Sequence, residues 1–278
     1  MPRSVAHRQI FLLHPDEEFR RRVRSSLTEG FGCWVLPDWR TLREAARNAS
    51  AAEVAVVEAS GPDAGLSPEL RAFLAEFPQV PVIAVLPPAL ESVREVRTLR
   101  EWGVAEVIVR GVEDTPEGIA GAVRYAQGTV LRGVVQEILP PYVGAPTRRL
   151  LLAAAEAIAT GGHARDMAAA LSVTETTVMR RCERLRLPPP RRLLAWMRVL
   201  LAARLLDHPG RTSQSVAYAC GYATEAGLRR VLQGFLGTSV TELRERGAVK
   251  AAAGAFLREL RELRAAARKP EGPVRPPG

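Results

Sequence analysis

The chain has 278 residues, 47% of them hydrophobic, which suits about two domains with real cores. Its net charge of +9 is uneven: residues 1–128 hold 15 basic and 18 acidic side chains, while the remainder hold 24 basic and 12 acidic. A near-neutral front and a basic back fit a regulatory domain joined to a polyanion-binding one. Cys33, Cys182 and Cys220 are odd in number and widely spaced, which argues against a disulfide framework or a zinc site, and the four histidines form no ligand pairs. The basic N-terminus has only a short apolar run, broken at His14, Pro15 and Asp16, so neither signal peptide nor membrane span is expected and the expected location is cytoplasmic.

Apolar runs at 10–13, 54–57, 82–86 and 107–109, with a weaker strand at 33–36, alternate with helical patterns at 16–29, 68–76, 90–102 and 115–131. Strands that are apolar throughout are buried on both faces, so residues 9–130 are expected to form a doubly wound α/β domain with a parallel five-stranded sheet. Residues 1–8 are a tail. After Pro140-Pro141 the strands stop. Residues 131–146 read as a linker, into which the preceding helix can continue. Helices are then expected at 147–160, 164–171, 174–187, 191–207, 213–220, 224–236 and 240–246, separated by Gly and Pro punctuation. The segment 248–278 reads as an amphipathic helix, with Phe256, Leu257, Leu260 and Leu263 on one face and docking within the same chain, followed by a disordered Pro/Gly-rich end.

Within 147–247 two helix-turn-helix units are expected on one all-α domain. In the second, Ala217 is small where two helices cross and Gly221 suits a positive φ in the turn. Leu228, Val231, Leu232 and Phe235 face inward, which leaves Glu225, Ala226, Arg229 and Arg230 outward. In the first, Ala168 is the crossing residue, the turn Leu171-Ser172-Val173 lacks glycine, and Thr174 is the N-cap. Val178 and Leu185 face inward; Thr176, Met179, Arg180 and Arg181 face outward. Between them, Leu193, Leu194, Met197, Leu200, Leu201 and Leu205 make an apolar stripe on a spacer helix. To read one face of double-stranded DNA, the two recognition helices should sit roughly 34 Å apart. Arginine early in such a helix is the favoured bidentate partner of guanine.

Residues 148–246 resemble the DNA-binding domain of AraC-type transcription regulators, through RRLLAWMRVLLAARLL, SVAYACGYATEAGLRRVL and LGTSVTELR. The resemblance implies transcription control, with base contacts from Thr176, Met179 and Arg180 and from Glu225, Ala226, Arg229 and Arg230. Leu228, Leu232, Val240, Leu243 and Cys182 depart from the usual residues by apolar swaps. The front half resembles a response-regulator receiver domain through IFLLHPDEEF, AEVAVVEASGPD, PVIAVLPP and GVAEVIVRG. A receiver needs an acidic pair, a phospho-acceptor Asp, a hydroxyl residue and a Lys. Here His14-Pro15 stands at the acidic pair with Asp16 displaced by one. Glu58 replaces the acceptor, Leu86 the hydroxyl and Arg110 the Lys. Magnesium wants hard oxygen ligands, so aspartyl phosphorylation is not expected. Glu58 and Arg110 either pair as a fixed charge or stand as ordinary strand-end residues beside water; the second is favoured.

The expected function is sequence-specific transcription regulation without phosphorylation or cofactor, and no catalytic or metal site is expected. The alternatives are a phosphorylation-dependent response regulator and an architectural DNA binder. The expected partners are DNA, a second copy of the chain through the α/β domain, and RNA polymerase. Val93, Val96, Leu99, Trp102, Ile119, Val123 and Tyr125 are the candidate dimer residues.

Overall fold

The computed structural model describes residues 8–27, 31–47, 49, 53–61, 65–78, 80–90, 92–160 and 162–266. Residues 1–7 of the expected tail and the Pro/Gly-rich end from 267 lie outside the described residues. The front half runs β1 (Arg8–Leu13), α1 (Glu17–Ser26), β2 (Phe31–Val35), α2 (Trp39–Arg47), β3 (Val54–Glu58), α3 (Pro68–Glu76), β4 (Val82–Leu86), α4 (Val93–Trp102), β5 (Glu106–Val109) and α5 (Pro116–Ile138). All strand pairings are parallel, in the order β2-β1-β3-β4-β5. Val54–Val57 and Val82–Leu86 are fully buried, because each strand meets a helical layer on both faces. Leu42, Phe73 and Leu99 pack on one face; Phe19, Val23, Ile119 and Val123 pack on the other.

Local chemistry sets the helix ends. Asp16 accepts the Phe19 N–H at 2.9 Å and Glu17 and Glu18 complement the first turn of α1. Ser67 caps α3 and Pro68 opens it. Helix α4 starts at Val93 rather than 90: Pro88–Leu90 is a 3-10 turn, and Ser92 is the N-cap. Gly103, at φ 98°, ends that helix. Helix α2 was not expected. Only Leu42 and Ala46 of its nine residues are buried, too few for a clear apolar period.

Helix α5 joins the two halves. Its first part, Ile119 to Ala126, completes the sheet core. Its second part, with Leu131, Val134 and Val135, belongs to the helical core. At 1.5 Å per residue it is about 35 Å long. The segment 131–146, expected as a linker, is therefore the last two turns of α5, a bend, and the start of α6 (Ala145–Thr160).

The helical half continues with α7 (Ala164–Ala170), α8 (Glu175–Arg184), α9 (Pro190–Leu206), α10 (Ser213–Ala219), α11 (Glu225–Leu236), α12 (Val240–Arg246) and α13 (Ala248–Ala266). The spacer α9 is buried on nearly all sides rather than along one stripe. Trp196, Val199, Ala202, Ala203 and Leu206 join the expected leucines in the core. Helix α9 turns most of its surface inward, its arginines excepted, and α5, α6, α10, α11, α12 and α13 pack around it. Helix α13 docks within the chain as expected. Phe256 and Leu260 are buried, and Trp196 lies edge-on to Phe235 at 4.8 Å and tilted against Phe256. Glu259 accepts from Arg192 at 2.6 and 2.7 Å and from Trp196 Nε1 at 2.9 Å. Burial opposes its charge, but these donors outweigh it and hold its carboxyl below the usual range.

Candidate nucleic-acid interface

The two helical pairs α7–α8 and α10–α11 close in the same way. Ala168 and Ala217 are buried where the helices cross. Four residues later comes a positive φ, at Ser172 (52°) and Gly221 (77°). The carbonyl of Ala168 then accepts the Val173 N–H at 3.0 Å, and that of Ala217 accepts the Tyr222 N–H at 2.9 Å. Thr174 and Thr224 cap the second helices through the N–H groups of Thr177 and Gly227. The first turn thus adopts the left-handed conformation without glycine.

A Cβ at Gly221 meets nothing within 4 Å, so Gly221→Ala tests backbone conformation alone. The substitution should cost about 1–2 kcal/mol, read as a lower urea midpoint with unchanged slope. A loss under a few tenths would refute the strained turn.

Inward and outward faces separate cleanly. Val178, Cys182, Leu228 and Leu232 are buried, and Leu185, Val231 and Phe235 are half-buried against the same core. Thr176, Met179, Arg180, Ala226, Arg229 and Arg230 are exposed; Arg181 and Glu225 are half-buried. Met179 leaves 52% of its surface in solvent. Glu175, Thr176, Met179 and Arg180 on α8 stand at the same helical offsets as Glu225, Ala226, Arg229 and Arg230 on α11. On α11, Arg229 is held by Glu225 at 2.5 Å, an exposed i,i+4 pair.

The receiver-like pocket is closed by its own side chains. Glu58 and Arg110 neither pair with each other nor stand free beside water, which corrects both expectations. Glu58 Oε2 lies 2.8 Å from Nε2 of buried His14, and its Oε1 accepts the N–H and hydroxyl of Ser60. His14 Nδ1 accepts the Asp16 N–H at 3.1 Å, so the ring proton of a neutral His14 belongs on Nε2, toward Glu58. Arg110 reaches across to Asp16 at 2.8 Å and to Asp114 at 3.4 Å; Asp114 also takes Arg22 at 2.9 Å. Pro15 is exposed, and Leu86 is buried at the end of β4. Asp114, Arg22 and Ser60 had no signal in the sequence: Arg22 and Asp114 meet only in the fold, 92 residues apart, and Ser60 binds Glu58 two residues back through a turn at the end of β3.

The Phe19 N–H first, then Arg110, pull the Asp16 carboxyl from 3.8 down to about 2. A carboxyl depressed on folding contributes stability at neutral pH and loses it as pH falls through its folded value. A carboxyl NMR titration should therefore place Asp16 near 2, and a midpoint near 3.8 would show the pairing absent in solution.

On the last helix–strand–helix face, Leu99, Ile119 and Val123 are consumed by the sheet cores, whereas Val93 is 78% and Tyr125 40% exposed. Val96 and Trp102 are half-buried. Val112, in the loop after β5, is 63% exposed.

Residues 167–246 match the sequence model of a family described as a helix-turn-helix domain, a span that begins within α7 and runs through the spacer and the second unit to the end of α12. No curated protein matches the chain. Among solved structures, full-length FixJ from B. japonicum is similar at 16% identity, covering 81% of this chain and 95% of that one, with a TM-score of 0.36. The response regulator StyR is similar at 16% identity, covering 67% and 96%, with a TM-score of 0.30. Among the described residues, no helix is long and apolar enough to cross a membrane.

Proposed function

We propose that this chain, which carries an AraC-type helix-turn-helix domain over residues 167–246, is a sequence-specific DNA-binding transcription regulator controlled by something other than phosphate. The observation that carries this is the repetition of one outward pattern on two recognition helices fixed to a single buried spacer. Thr176, Met179, Arg180 and Arg181 are the base-facing set of the first reader; Glu225, Ala226, Arg229 and Arg230 are that of the second. A spacer buried on nearly all sides cannot bend without opening the core, so the two readers keep a fixed separation.

Among the described residues, the α/β domain has no cluster suited to magnesium of the receiver kind. The positions that would supply hard oxygens hold His14 and Pro15, while Asp16 and Glu58 already serve Arg110 and His14. Its role in this reading is assembly: Val93, Val96 and Tyr125 form the face for a second copy, and DNA and RNA polymerase are the remaining partners.

Selecting bound sequences from a random DNA pool tests the reading. A two-part motif with a spacing near one helical turn is expected. Equal affinity for selected and random duplex would leave only a phosphate-driven, architectural binder. Mass measurement after treatment with a small phosphodonor should show no phosphorylated species, and clean modification at Asp16 or Glu58 would overturn the phosphate-independent part.

A further inference from the structure

Beside the first reader lies a cleft of about 470 Å³ that the base-facing residues do not account for. Its charged lining is Arg165, Arg191 and Arg198 against one acid, Glu175. Glu175 makes no ion pair among the described residues. Arg198 is fixed in place: its Nη2 donates to the Gly162 carbonyl at 2.9 Å. Gly162 has φ +75°, and a Cβ there would come within 2.2 Å of that guanidinium. The glycine therefore both makes the turn and leaves room for the arginine.

The other two arginines are available. Arg165 is exposed, with Asp166 at 3.8 Å as its nearest acid, and Asp166 is itself engaged by the His163 N–H at 2.8 Å. Arg191 is exposed and makes no hydrogen bond or ion pair among the described residues. Three guanidiniums thus converge on a concave space with a single carboxylate nearby, which leaves an excess of positive charge. Planar guanidinium forks match phosphate oxygens.

The position of the cleft identifies its occupant. Glu175, the first residue of α8, is on its wall, and Thr176, Met179 and Arg180 follow on the same helix. The first helix of such a helix-turn-helix pair crosses the phosphate backbone, and Arg165 stands in the first turn of α7 on the cleft's wall. The corresponding edge of the second unit is not open in this way. There Arg211 is paired with Glu53 of the α/β domain, and Gly210, Thr212 and Ser215 line a space shared with β1 and β2.

We infer that the Arg165–Arg191–Arg198 cleft seats a backbone phosphate of the DNA duplex at the edge of the groove that α8 enters. The inference rests on the DNA-binding reading above and adds a grip that is independent of sequence, located at the first reader.

The test measures full-length Arg165→Gln, Arg191→Gln and the double variant on the pool-selected duplex and on a mixed-sequence duplex, across salt concentrations. Both side chains are exposed, so melting curves should match the parent chain. Each substitution should weaken both duplexes alike, several-fold at low salt, and make the log K against log salt slope shallower by about one per lost contact. An unchanged slope, with Arg230→Ala still weakening the selected duplex, would overturn the cleft and leave the functional reading intact. A loss confined to the selected duplex would make these arginines base readers and also overturn the assignment. Failure of the parent chain to bind either duplex would overturn the functional reading itself.

Discussion

Arg229→Ala and Arg230→Ala each weaken binding to the selected duplex by about 1–3 kcal/mol if the residue pairs with a guanine edge, and much less on random DNA. The two arginines start from different states. Arg230 is exposed and makes no hydrogen bond or ion pair among the described residues. Arg229 is tied to Glu225 one turn back on the same helix. Such an exposed pair is worth only about 0.2–1 kcal/mol, so a guanine edge can take the guanidinium away. Glu225 meanwhile limits the rotamers of Arg229 before binding. Within the base-facing set, Glu225→Ala should therefore cost less than Arg229→Ala, because it leaves both arginines in place to reach the groove. Binding isotherms on both duplexes decide the matter. Equal losses on selected and random DNA would make the arginine a phosphate contact.

The outward faces behind this prediction were legible because the core pattern was legible. Val178 and Leu185 in the first unit, and Leu228, Leu232 and Phe235 in the second, repeat at helical spacing, and whatever lies opposite them must face solvent. The parallel sheet was legible for a related reason: Val54–Val57 and Val82–Leu86 have no polar alternation, which only strands covered on both faces allow. Gly221 announced its own φ, whereas Ser172 adopts the same conformation with no compositional sign of it. Helix α2 had one signal, Asp38, which accepts the Thr41 N–H at 2.7 Å as a cap would. Its apolar face was too sparse to support that signal. Helix α5 continues past 131, as the sequence allowed, because Leu131, Val134 and Val135 carry the period into a second core. The ionic contacts were the least legible. His14 and Glu58, or Arg110 and Asp16, meet only because parallel strands bring their ends together. Charge type alone suggested the wrong pair, Glu58 with Arg110.

The same limit hid Glu53 and Arg211, which are 158 residues apart and tie the α/β domain to the loop before α10. Both side chains are more than nine-tenths buried, at 8% and 9% exposure. The backbone of that loop is held in turn: Arg244 donates to the carbonyls of Leu206 and Arg211, and Asp207 accepts the N–H groups of Ala248 and Val249 at the start of α13. The pair thus connects the sheet to an already rigid corner of the second reader. Helix α5, built into both cores, is the covalent connection between the halves, and the ion pair adds a second point of attachment. Glu53→Ala should cost about 3–5 kcal/mol, because it leaves a buried guanidinium uncompensated. That figure is larger than the worth of the pair itself. Glu53→Leu combined with Arg211→Met should recover most of the loss, since two apolar groups of similar volume need no partner. Urea denaturation of Glu53→Leu, Arg211→Met and the double variant measures the coupling directly. Additive losses, or a Glu53→Ala effect below about 1 kcal/mol, would mean that water reaches the pair and that α5 alone holds the two halves together.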